Sequence, residues 1–181
     1  MRSTAEARRA ALLDAAVSVF ARNGFHATPV TAVAAAAGIS EAYALRLFAG
    51  KLGLFVAAVE SCYERIITTM ETAAEQAPDR DPEKLLEHIG DRYAELIADR
   101  DLLMLQVHAQ SVADIPEVGA AVRAGFRRLV AFLRTTAGAD DRAIQHFIAY
   151  GQLCHLIVTA GLDRVEESWA GAITAGMYHV P

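Results

Sequence analysis

Two cysteines, Cys62 and Cys154, are too few for a disulfide framework. Both fall inside helical apolar patterns and read as reduced core residues. No apolar run reaches the roughly eighteen residues that a membrane span requires. The start, M-R-S-T-A-E-A-R-R, lacks the apolar stretch of a secretory signal. The expected location is therefore the cytoplasm, with no membrane partner. Catalytic and metal-binding spacings are missing too. The histidines (His26, His88, His108, His146, His155, His179) form no H-E-x-x-H pair, and no C-x-x-C occurs. Gly38-Ile39-Ser40 lacks the second Gly of a nucleophile elbow. No Walker or dinucleotide Gly loop is present. Cys154 and His155 are adjacent, so on a helix they point about 100° apart and form no working pair. No catalytic residue, metal or cofactor is expected.

Net positive charge is also lacking. The chain carries 17 basic and 22 acidic residues, a balance of −5. The deficit is not evenly spread. Residues 1–51 hold six basic residues (Arg2, Arg8, Arg9, Arg22, Arg46, Lys51) against three acidic ones (Glu6, Asp14, Glu41). The remaining acidic excess falls after residue 51, so an electropositive N-terminal segment precedes an acidic remainder.

That segment contains T-P-V-T-A-V-A-A-A-A-G-I-S-E-A-Y-A-L-R-L-F-A-G-K, residues 28–51. Thr28 reads as an N-cap with Pro29 at the first helical position. Val30, Val33, Ala34 and Ala37 recur at helical spacing, and the Ala run keeps the helix slim. Gly38 stops it, and Ser40 caps a second helix from about Glu41 to Phe48. Leu45 and Phe48 are expected inward. Ala42, Tyr43 and Arg46 are expected to point elsewhere. Two short helices joined by a tight turn make a helix-turn-helix, whose second helix enters the major groove of DNA.

These residues resemble the DNA-binding domain of the tetracycline-repressor-like (TetR) transcription regulators. The matching positions are Gly24-Phe25, Thr28, Ala37-Gly38-Ile39-Ser40, Phe48 and Lys51, and the motif covers about a quarter of the chain. The sequence departs from the family at Leu45, where a Tyr usually meets phosphate; Tyr43 is the substitute contact. Gly50 stands where Ser, Thr or Asp is commoner. The resemblance implies a double-stranded DNA operator, contacted through Thr28, Thr31, Ser40, Glu41, Ala42, Tyr43, Arg46 and Lys51.

The rest of the chain predicts helices throughout. The first runs over 5–23, and Phe25 packs beneath the helix-turn-helix. Further helices are expected over 51–77, 82–99, 102–112, 116–137, 141–161 and 165–177. The fold class is all-α with about nine helices. Residues 1–51 form the helix-turn-helix domain, and residues 52–181 form a ligand-binding and dimerisation domain. Helix 141–161 is apolar nearly all round, so it needs cover on both sides. In the family the last two helices pair across a two-fold, which implies a homodimer through the eighth and ninth.

The long C-terminal part is apolar with scattered polar groups, the make-up of a ligand pocket. Its lining is expected to draw on Tyr63, Met70, Tyr93, Met104, His108, Phe147 and His155. No inward Lys or Arg stands out, so the effector is expected to be a small, largely apolar molecule. The reading is a ligand-responsive transcriptional regulator, a repressor in its expected sense. A second is a helical small-molecule sensor whose helix-turn-helix does not read DNA. A third, a helical enzyme, is opposed by the missing constellations.

Overall fold

The computed structural model describes residues 4–176, which form nine α-helices, one short 3-10 turn and no strand. The helices are α1 (Thr4–Ala27), α2 (Val30–Ala36), α3 (Glu41–Phe48), α4 (Gly50–Gln76), α5 (Pro82–Ile97), α6 (Arg100–Ser111), α7 (Pro116–Thr136), α8 (Asp141–Ala160) and α9 (Ser168–Thr174). The 3-10 turn, Leu162–Arg164, precedes α9.

Local chemistry sets the starts of three helices. Ser40 Oγ accepts the Tyr43 amide of α3 at 3.3 Å. Asp81 accepts the Glu83 and Lys84 amides of α5, behind Pro82. Asp140 accepts the Ala143 amide of α8 at 2.8 Å. Each such cap satisfies an orphan helix donor and contributes about 1 kcal/mol. The ninth helix is shorter than the pattern predicts. Val165 and Glu167 have extended backbone, so α9 starts at Ser168; Met177 lies outside the described residues.

The residues cluster into two compact units. The first comprises Met1–Arg65 with Arg100–Phe126. Here α1 packs on α6 and α2, and α2 packs on α3. Leu12, Ala16 and Phe20 recur every four residues on α1 and are wholly buried. Phe20 meets Phe55 edge-on, with ring centroids 4.9 Å apart. Burying side chains of this size contributes roughly 1.5–3 kcal/mol each. This unit reaches past residue 51 because α1 finds its apolar cover on α6.

The second unit comprises Ile66–Asp99 with Arg127–Pro181. Leu85, Ile89, Tyr93 and Ile97, four apart, form the buried stripe of α5, which packs on α8. On α8 only Ile144, Cys154, His155 and Ile157 are buried. Tyr150 and Leu156 on α8 and Trp169 on α9 are large apolar side chains that remain 42–50% exposed. Burial pushes the Cys154 thiol up to about 11, so it stays protonated. Cys62 and Cys154 are both buried, and neither forms a disulfide.

Candidate DNA interface and buried polar groups

The turn between α2 and α3 is built by backbone bonds. Gly38 has φ 66°, a left-handed conformation that glycine adopts without strain. Its amide donates to Ala35 O at 3.1 Å, and the Ile39 amide donates to Ala34 O at 3.0 Å. This is the Schellman arrangement, which satisfies the free carbonyls at a helix end. The chain bends by 104° between α2 and α3.

The inward face of α3 is Ala44 and Phe48, four apart. Leu45, expected inward, is only half-buried, because the helix is rotated to seat Ala44. Ser40, Glu41, Ala42 and Arg46 are exposed, as is Thr31 on α2; Tyr43 is half-buried. The Arg46 guanidinium lies 5.5 Å from the Tyr43 ring centroid, one helical turn away. Such stacking restrains a long side chain that would otherwise sample many rotamers.

Thr28 departs from its expected roles. It is fully buried, and its hydroxyl donates back to Gly24 O at 2.7 Å. Pro29, in extended conformation, takes the cap position of α2 without any side-chain cap bond. Thr28 is thus a strut between the end of α1 and the motif, with no surface for DNA. Lys51 is half-buried. Its ammonium donates to His26 O at 3.1 Å and lies 5.0 Å from the Phe25 ring centroid. Phe25 in turn packs on Phe55, centroids 5.1 Å apart. Arg9 of α1 stacks over Phe48 at 4.8 Å. The backbone carbonyl of His26 as partner of Lys51 had no signal in the sequence.

The candidate ligand-lining residues divide between the two units. In the first unit, Tyr63 is buried, its ring 5.8 Å from that of Phe126. A side chain at Gly125 would overlap the Tyr63 ring. The Tyr63 hydroxyl has no hydrogen-bond partner. Burial first, and then the neighbouring Cys62, push its pKa far above the ordinary phenol value. Met104 is half-buried. His108 is turned toward α1, where its Nε2 lies 3.1 Å from Ala21 O.

In the second unit, Met70 is buried and Phe147 half-buried. Tyr93 and His155 come together, with the hydroxyl 3.0 Å from Nε2. Burial lowers the His155 pKa to about 4, so the ring is neutral at ordinary pH. Among the described residues, no group of three or more His, Cys, Asp or Glu is placed to hold a metal ion. No single described helix is long and apolar enough to cross a membrane.

A bent pair of short helices, the second with Glu41, Ala42 and Arg46 exposed, defines a helix-turn-helix module. Residues 12–58 match the family model of the bacterial regulatory proteins of the tetR family. Residues 12–58 are thus similar to that family, and the chain shares its all-α fold with solved transcriptional regulators. A proposed transcriptional regulator from Pseudomonas aeruginosa PAO1 is 22% identical; the match covers 97% of this chain and 92% of that one, with a TM-score of 0.70. The transcriptional regulator FadR from Bacillus subtilis, solved with stearoyl-CoA, is 19% identical over 94% of this chain and 100% of its own, TM-score 0.67. A TetR-family member from Streptomyces coelicolor A3 is 24% identical over 92% of this chain and 96% of its own, TM-score 0.65. No curated protein matches the sequence significantly.

Proposed function

We propose that this chain is a ligand-responsive transcriptional regulator, a repressor released from its operator by a small, largely apolar molecule. The observation that carries the reading is the exposed recognition helix, capped by Ser40 and carrying Arg46 outward on a rigid turn. A helix so presented fits a major groove, and an arginine there can bond a guanine edge bidentately. Thr31, Ser40, Glu41, Ala42, Tyr43, Arg46 and Lys51 form the proposed contact set. Residues 1–51 supply the reading head and residues 52–181 the ligand-binding and dimerisation part.

Three observations support the remainder. The basic residues are enriched over 1–51. Tyr150, Leu156 and Trp169 leave apolar surface on α8 and α9, which a second copy of the chain would cover. A similarly folded regulator, FadR from Bacillus subtilis, was solved with stearoyl-CoA, a ligand with a long apolar chain. The effector acts through its differential affinity for the operator-bound and free states. A regulator of this kind works in the cytoplasm and performs no catalysis.

The second reading, a sensor that does not read DNA, draws on Lys51, whose ammonium is engaged with His26 O. Fluorescence anisotropy with the duplex flanking the chain's own gene separates the two. Saturable binding that falls steeply with salt supports the regulator. Binding no tighter than to an unrelated duplex supports the sensor.

A further inference from the structure

Two buried side-chain polar atoms among the described residues have no hydrogen-bond partner, Tyr63 Oη and His155 Nδ1. Buried polar groups in folded proteins are nearly always paired, so each orphan calls for an explanation. His155 has the more defined chemistry. It sits on α8, 4% exposed, with Nε2 held 3.0 Å from the Tyr93 hydroxyl on α5. A phenol O–H is a stronger acid than a neutral imidazole N–H, and an imidazole nitrogen is the stronger base. This difference favours the tautomer in which Tyr93 donates and Nε2 accepts. The ring proton is left on Nδ1, a buried donor without an acceptor.

We propose that His155 Nδ1–H anchors an uncharged, carbonyl-bearing effector in the second unit. The inference rests on the ligand response proposed above and names the chemistry of that ligand. Its surroundings support the choice. Ile89 and Ile97 flank Tyr93 along the buried stripe of α5, and Cys154 and Ile157 are buried beside His155 on α8. Among the described residues of this unit, no Lys, Arg, Asp or Glu is buried. An anionic head would meet no buried countercharge and a ring that burial keeps neutral. A carbonyl oxygen accepts the orphan proton without bringing charge. A side-chain carbon at Gly151 would sit 3.4 Å from the Tyr93 ring, and one at Gly90 3.8 Å from the Phe147 ring.

The test uses the full chain and three probes of similar length: methyl decanoate, dodecane and decanoate. Calorimetry should show the ester binding about tenfold tighter than the alkane or more, the worth of one well-placed hydrogen bond. His155→Leu should erase that preference while alkane binding persists. His155→Asn, whose amide N–H reaches the place of Nδ1, should keep most of it. Two-bond proton–nitrogen spectra of histidine-labelled wild type should show His155 protonated at Nδ1, with that nitrogen shifting when the ester is added. Dodecane binding as tightly as the ester overturns the anchor and leaves the ligand response standing. Decanoate binding more tightly than the ester overturns the uncharged head. If no probe binds and operator affinity ignores all three, the ligand-response reading fails and the anchor with it.

Discussion

His108 Nε2 lies 3.1 Å from the carbonyl oxygen of Ala21, three residues before the break at Gly24. A carbonyl only accepts, so the His108 ring donates and Nε2 carries a proton. The rest of the ring fills the space beside Gly24, where an added side-chain carbon would sit 3.1 Å from Nδ1. His108, expected to line a ligand pocket, clasps α6 to the end of α1.

His108→Leu should therefore destabilise the fold by about 1 kcal/mol, the net worth of a typical hydrogen bond. Gly24→Ala should cost more, about 1–3 kcal/mol. It forces a side chain into left-handed φ 70° and against the His108 ring. Urea denaturation of both variants checks the order. A smaller loss for Gly24→Ala than for His108→Leu contradicts the clasp.

The pair of Tyr63 and Gly125 allows a prediction of opposite sign. The Tyr63 hydroxyl is buried without a partner, so Tyr63→Phe should be neutral or stabilising by about 1 kcal/mol in the absence of ligand. Gly125→Ala should destabilise by about 1–3 kcal/mol, because its new methyl overlaps the Tyr63 ring. Thermal melts read both. A Tyr63→Phe protein that melts well below wild type shows that the hydroxyl has a partner after all.

Stability should fall with acid through His155. Its folded pKa is depressed to about 4 from 6.5, by burial. Below pH 6.5 the unfolded chain takes up a proton that the folded ring refuses. The contribution is complete above that pH and lost progressively toward pH 4, on the order of 3 kcal/mol in all. Denaturation of His155→Leu over the same range should show a flatter pH dependence. An equal slope in both proteins places the acid sensitivity elsewhere.

The open apolar surface of α8 and α9 predicts association. Leu156→Glu, on a side chain 50% exposed, should turn a two-fold dimer into a monomer by placing a carboxylate in an apolar interface. Light scattering gives the mass. Trp169, the sole tryptophan and likewise 50% exposed in one chain, should shift its emission to the red when the dimer dissociates. A monomeric wild type at micromolar concentration contradicts the interface.

Helix identity and most helix ends were legible because their causes are local. Ser40, Pro82 and Asp140 each act within one turn of their position, and Gly38 stops α2 through its own backbone. What was misread depends on partners far along the chain. The Thr28 hydroxyl turns back to Gly24 O because the chain breaks there and Pro29 already occupies the cap. α3 seats Ala44, not Leu45, because packing on α2 fixes its rotation. The sequence marks His155 as a polar group on an apolar face, but its pairing with Tyr93, 62 residues away, has no local signature. His108 shows the same limit in reverse, since its partner Ala21 is a backbone atom that any sequence would supply.

Recognition of DNA should divide between Arg46 and Lys51. Arg46→Ala should cost operator binding about 1–3 kcal/mol and relax sequence preference. Lys51→Ala should weaken all duplexes alike and reduce the salt slope by about one. It should also lower stability slightly, since Lys51 ties α4 to His26 O.

The central claim is sequence-specific DNA reading by α3. Its most direct test is an anisotropy titration of wild type and Arg46→Ala on the duplex flanking the chain's own gene, against an unrelated duplex of equal length. Wild type should prefer the flanking duplex by about a thousandfold or more at fixed salt, and Arg46→Ala should lose most of that preference. Equal affinity of wild type for both duplexes, or an unchanged preference in Arg46→Ala, would contradict the account.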